Sequence, residues 1–252
     1  GLSCTNDTIT SLNLTDNNLK QGNGLPLSLF ELTGLVSLDL TKSYLQKSIP
    51  TKIEMLQNLE FLVLSPHKFT GILPIELFTL KNLKHLDLAI GYGGSQGLIG
   101  SLPQDIGGLT SLSHFALTNT GITGVLPREM YELINLLYLN LGFNKFKGAL
   151  STEVGNLKAI KYLDLSGNQI SGTLPSTLGN LMELMSLVLS NNAWVGPIPS
   201  TVSDLTKLRK ISISCDHDGS CGLTGSIPTF LVTITTLSEV KLDFNVCVWS
   251  IP

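Results

Sequence analysis

The sequence predicts an α/β solenoid: about ten stacked 24-residue units with a concave parallel β-sheet and short 3₁₀ or helical segments on the convex side. Three observations predict it. First, a pattern of the form Leu-x-x-Leu-x-Leu-x-x-Asn-x-Leu-x-Gly-x-Leu/Ile-Pro recurs along the chain, clearest as IKYLDLSGNQISGTLP from Ile160 to Pro175 and as LMSLVLSNNAWVGPIP from Leu184 to Pro199. Second, aligning on the second leucine gives Leu12, Leu38, Leu62, Leu86, Phe115, Leu139, Leu163, Leu187, Ile211 and Val240, with steps of 26, 24, 24, 29, 24, 24, 24, 24 and 29. Third, 42% hydrophobic content in 252 residues can bury a large core, and the unbroken period argues for one elongated domain, residues 1–252.

Each half of a repeat has its own physical reason. In Tyr162-Leu163-Asp164-Leu165 apolar and polar residues alternate, as in a short strand whose leucines face the core while Tyr162 and Asp164 face out. Asn168 follows at the bend, where its amide satisfies backbone groups that stacking would otherwise bury unpaired. Asn17, Asn144, Asn192 and Asn245 share that place; Ser43, His67 and Thr120 replace it, and those repeats are expected to be looser. The second half, such as residues 175–181, opens on proline and spaces its leucines three apart, which suits a 3₁₀ turn. A period and pattern of this kind is the signature of a leucine-rich repeat.

The segment Leu-x-Gly-x-Ile-Pro resembles the plant-type leucine-rich repeat of receptor-kinase ectodomains and polygalacturonase-inhibiting proteins. Gly71-Ile-Leu-Pro74, Gly100-Ser-Leu-Pro103, Gly124-Val-Leu-Pro127, Gly172-Thr-Leu-Pro175, Gly196-Pro-Ile-Pro199 and Gly225-Ser-Ile-Pro228 all carry it. The resemblance covers nearly the whole chain. It implies a right-handed superhelix and a second short sheet on the flank. Gly1-Leu-Ser-Cys4 resembles the close of the plant-type N-terminal cap, so residues 1–8 read as a cap remnant whose upstream cysteine is absent. The last repeat stops at Pro252 without a polar cap, and the chain starts at Gly1 rather than Met; it reads as part of a larger protein.

Composition and short motifs bound the function. A net charge of −3 with 14% charged residues supplies no basic footprint for nucleic acid, and no apolar run approaches the 18 residues of a membrane span. Any anchor would belong to a larger parent protein. Cys215 and Cys221 bracket a five-residue expansion of the ninth repeat, and a disulfide there would contribute roughly 2 kcal/mol in the chain-entropy model. Cys4 and Cys247 lie nine strand spacings apart, about 43 Å, and cannot pair within the chain. Cys247 reads as a buried leucine substitute. The sequons Asn6-Asp-Thr8 and Asn13-Leu-Thr15 add to the case for an extracellular or cell-surface glycoprotein.

Function is expected on the outward strand positions, since packing consumes the leucines. The position before each aligned leucine reads Ser11, Ser37, Phe61, His85, His114, Tyr138, Tyr162, Ser186, Lys210 and Glu239. Five consecutive repeats thus present a ring, and Asp87, Asn140 and Asp164 stand two residues on. The candidate ligand-binding strip is Phe61, His85, Asp87, His114, Tyr138, Asn140 and Tyr162. Rings beside carboxylates and amides suit a peptide or protein, through anchors and hydrogen bonds, or a glycan, through CH faces stacked on aromatics. Cross-strand stabilisation of the sheet is the structural alternative. A glycan on Asn13 would crowd the N-terminal end of the face. The insertions at 91–97 and 215–221 fall at the same point of the repeat, on one expected rim.

Chemistry is not expected. His85, Asp87 and His114 have the composition of a two-His-one-carboxylate metal site, but an open sheet offers little to orient the ligands. Asp39 and Asp87, about 9.6 Å apart across two strands, sit at the outer edge of an inverting glycosidase pair with nothing to raise one pKa. Asp216, His217 and Asp218 are too few for calcium. The sequence therefore reads as a non-catalytic recognition module with no cofactor and no metal. The alternatives are an inhibitor of a secreted cell-wall hydrolase and a structural or adhesive extracellular protein.

Overall fold

Stacking of the repeats produces the expected right-handed leucine-rich-repeat solenoid. The computed structural model describes residues 1–5, 8–16, 24–43, 45–90, 97–214, 222–224 and 228–243. Ten three- to six-residue strands form the parallel concave sheet, running from Thr8–Asn13 through Ser37–Asp39, Phe61–Val63, His85–Asp87, His114–Ala116, Tyr138–Asn140, Tyr162–Asp164, Ser186–Val188 and Lys210–Ser212 to Glu239–Lys241. An eleventh strand, Leu2–Thr5, pairs antiparallel with the first of these. Every aligned leucine pairs with its copy in the next repeat, as in Leu139 with Leu163 and Leu163 with Leu187, so outward positions fall into straight ranks. Sheet register therefore follows directly from the spacing of the leucines.

The flank sheet forms where glycine permits it. Thr123–Gly124, Lys145–Ala149, Gln169–Thr173, Ala193–Gly196 and Gly222–Leu223 make five parallel strands, and Gln46–Lys47 pairs separately with Lys68–Phe69. Gly71, Gly100, Gly124, Gly148, Gly172 and Gly196 hold φ between +75° and +88°, a region that a Cβ penalises. Between the two flank sheets only the isolated bridges Gly71–Leu98 and Ser101–Thr123 continue the line among the described residues. The insertion at 91–97 interrupts the period at that point.

Nine five-residue 3₁₀ turns form the convex side among the described residues, from Leu27–Glu31 to Thr229–Thr233. Proline occupies the cap ahead of eight of them in an extended conformation, one place earlier than the first-turn position expected for it. Extended backbone at that residue lets the chain leave the flank and turn into the next layer. Ser151 caps the ninth, accepting from Glu153 N at 3.1 Å.

A single core of leucines runs the length of the stack, joined by Phe30, Phe69, Phe115, Phe146 and Trp194. The asparagine ladder ties one layer to the next. Asn168 Oδ1 accepts from Phe146 N, while its Nδ2 donates to Leu141 O and Leu165 O, all at 3.0 Å. Asn192 repeats this with Ile170 N, Leu165 O and Leu189 O. The three replacements are buried and paired. Ser43, His67 and Thr120 are 0%, 2% and 1% exposed, and each finds a partner: Leu40 O for Ser43, Phe69 N and Leu88 O for His67, Asn144 Oδ1 for Thr120. Repeat four carries Gly91 at the ladder place, and the longer imidazole of His67 reaches forward to the Leu88 carbonyl of that repeat.

Candidate ligand-binding face

The five rings expected on the concave face form one continuous stack. Strand pairing sets Phe61 beside His85, His85 beside His114, His114 beside Tyr138 and Tyr138 beside Tyr162. Ring centroids are 6.2, 3.9, 4.1 and 4.5 Å apart in that order, with interplanar angles of 29°, 7°, 5° and 7°. The last four rings are therefore nearly parallel, and His114 and Tyr138 have both faces covered by their neighbours. Only edges, nitrogens and hydroxyls remain for a ligand, except at the two ends. A sugar that needs a free ring face finds none along the middle of this stack.

Burial sets the charge of the stack. His114 has its pKa lowered to about 4, first by burial and then by the neighbouring His85, with Asp87 opposing. His85 is lowered by burial, against Asp87 and Asp39, which favour its charged form. Both imidazoles are neutral at pH 7. A cation on each, 3.9 Å apart, would repel strongly in this half-desolvated setting. Burial and then Asp164 raise the pKa of Tyr162.

The polar residues beside the rings first serve the fold. Asp87 Oδ1 accepts from Ala89 N at 2.9 Å and its Oδ2 from Ser65 Oγ at 2.7 Å. Asn140 Oδ1 accepts from Gly142 N at 3.1 Å, and its Nδ2 donates to Tyr138 Oη at 3.2 Å. Asp39 and Asp164 do the same for Thr41 N and Ser166 N, and the Tyr162 hydroxyl donates to Asp164 Oδ2 at 3.1 Å. Each closes an Asx turn where the chain leaves the strand. Asn13 belongs to this series: its Oδ1 accepts from Thr15 N and its Nδ2 donates to Asp39 Oδ2. The sequon at Asn13 thus coincides with the Asx turn of the repeat.

All seven residues of the strip are brought into two adjacent ranks, rings in one and Asp87 and Asn140 in the other. Asp164 belongs with these residues because it orients Tyr162, although the strip read from the sequence omits it; the recurring Asp/Asn-Leu-Thr/Ser spacing at Asn13, Asp39 and Asp164 is its signal. Among the described residues no group of three His, Cys, Asp or Glu is arranged to hold a metal ion, and His85, Asp87 and His114 form no such group. No helix among them is long and apolar enough to cross a membrane. Asn6, Cys215, Cys221, Cys247 and the 216–218 loop lie outside the described residues. Cys4 is exposed and forms no disulfide among the described residues.

A family model for a leucine-rich repeat region matches residues 128–249. The chain is a leucine-rich-repeat protein of the plant type. The leucine-rich-repeat ectodomain of the plant membrane receptor kinase GASSHO1/SCHENGEN3 from Arabidopsis thaliana, solved in complex with CASPARIAN STRIP INTEGRITY FACTOR 2, matches at TM-score 0.91 and 30% identity. That match covers 100% of this chain and 29% of that one. A TDR receptor matches at TM-score 0.84 and 30% identity over 94% of this chain and 43% of that one. The plant peptide hormone receptor RGFR1, in complex with RGF2, matches at TM-score 0.61 and 27% identity over 98% and 45%. This leucine-rich-repeat chain thus spans less than half the length of each of these three receptors. A search of curated proteins found no match.

Proposed function

We propose that this leucine-rich-repeat chain, residues 1–252 as one domain, is a non-catalytic extracellular recognition module that binds an extended peptide along its concave face. The strip is Phe61, His85, Asp87, His114, Tyr138, Asn140 and Tyr162. The observation that carries this reading is the ring stack itself: a straight, rigid, electrically neutral ridge of edges and hydroxyls across five repeats. A peptide lying across the strands meets a regular line of hydrogen-bonding groups at the strand spacing, and the stack is ordered before binding, so little side-chain entropy is lost. The similarity to RGFR1, a peptide hormone receptor, points the same way. Covered ring faces disfavour a glycan.

The test is affinity capture from the peptide fraction of the native extracellular fluid, comparing the intact chain with the Tyr138→Ala/Tyr162→Ala double variant after both are shown to be folded. A peptide retained by the first and lost by the second is the expected result. Equal retention by both, or none by either, overturns the concave-strip reading.

A further inference from the structure

We infer that the end of the ring stack at Tyr162 is a specificity slot for one aromatic side chain of the ligand. This inference rests on the concave-face reading above. Tyr138 covers one face of Tyr162, at 4.5 Å, and strand register directs the other face towards Ser186. Ser186 has no ring to continue the stack. Beyond it stands Lys210, paired with Ser186 on the next strand, and its Nζ is drawn away from the stack to Glu239 Oε1 at 3.2 Å. Tyr162 and the Lys210 stem thus face one another across two strand spacings, about 9.6 Å. Two separations like that between Tyr138 and Tyr162 fill this distance, so it takes one ring and not two.

The walls suit such an occupant. Tyr162 is held in orientation by its hydrogen bond to Asp164, whose other oxygen is fixed by Ser166. Val188, half-buried and outward two residues from Ser186, adds an apolar flank. The opposite end of the stack is built differently. Phe61 is tilted 29° from His85, and beyond it come Ser37 and then Ser11, neither of which carries an aliphatic stem like that of Lys210. Aromatic insertion at the Tyr162 end gains a stacked face on one side and contact with the aliphatic Lys210 stem on the other.

The probe is a positional-scanning library of acetylated, amidated hexapeptides, passed over the immobilised chain and read by mass spectrometry. The intact chain is expected to favour Phe, Tyr, Trp or His at one position by about tenfold over Ala. Ser186→Tyr, which fills the slot with the protein's own ring, is expected to erase that preference while still retaining peptides. Lys210→Ala removes only the far wall and is expected to lower the preference about threefold, and it serves should Ser186→Tyr not fold. Retention with no aromatic preference, or a preference unchanged in both variants, overturns the slot and leaves the concave-face reading standing. No retention by the intact chain overturns both.

Discussion

Acidification should destabilise the solenoid through His67, and the size of the effect follows from its surroundings. The ring is 2% exposed; Nδ1 accepts from Phe69 N at 2.9 Å and Nε2 lies 2.8 Å from Leu88 O, which fixes the neutral Nε2–H tautomer. A proton on Nδ1 would remove the acceptor for Phe69 N and bury a cation. The pKa is accordingly lowered from 6.5 to about 4, chiefly by burial, with the Leu88 carbonyl and Asp87 opposing. Because the folded value lies below the unfolded one, the neutral form carries the stability: it is complete above pH 6.5 and is lost as pH falls from 6.5 towards 4. At pH 4 the loss amounts to about 3 kcal/mol.

The assay is urea unfolding of the intact chain and of His67→Asn at a series of pH values, with the His67 imidazole followed by NMR. His85 and His114 titrate in both proteins, so the difference between the two isolates His67. The intact chain should lose about 3 kcal/mol relative to the variant between pH 7 and pH 4. A difference that stays flat across that range, or an imidazole that titrates near 6.5, would refute the reasoning.

Asn168→Ala should strand Phe146 N inside the stack, while Leu141 O keeps Asn144 Nδ2 and Leu165 O keeps Asn192 Nδ2 as donors, costing about 1–3 kcal/mol. Urea unfolding measures it, and a loss under about 1 kcal/mol would show that the neighbouring layers re-pair. Tyr138→Ala removes the last two stacking contacts of the ladder, with His114 and Tyr162, and should cost about 1–3 kcal/mol with a reduced near-ultraviolet circular dichroism signal. Unchanged stability there would mean that the rings contribute nothing to the sheet.

Much of the fold was legible in the chain because a solenoid is built from local rules repeated. The spacing of Leu139, Leu163 and Leu187 sets both the strands and their register, since each leucine must meet its copy one layer away. The glycines of the flank segments announce the second sheet because few other residues tolerate their φ. The rank of rings from Phe61 to Tyr162 was visible for the same reason: a position that repeats in sequence repeats in space.

What the rings do with one another was decided only in three dimensions. Sequence placed Phe61, His85, His114, Tyr138 and Tyr162 on one line, but side-chain rotamers and burial decide that the last four lie face to face and that both imidazoles are neutral. Asp87 and Asn140 read as ligand contacts in the sequence, whereas the chain's departure from each strand commits an oxygen of each to an Asx turn. Ser43, His67 and Thr120 read as weak points and are satisfied, because a side chain of different reach can find a carbonyl in an adjacent layer that no linear pattern marks. Periodicity determines where a residue stands in the stack; the distances across layers, which depend on every side chain packed between them, determine which groups it reaches and whether it stays charged.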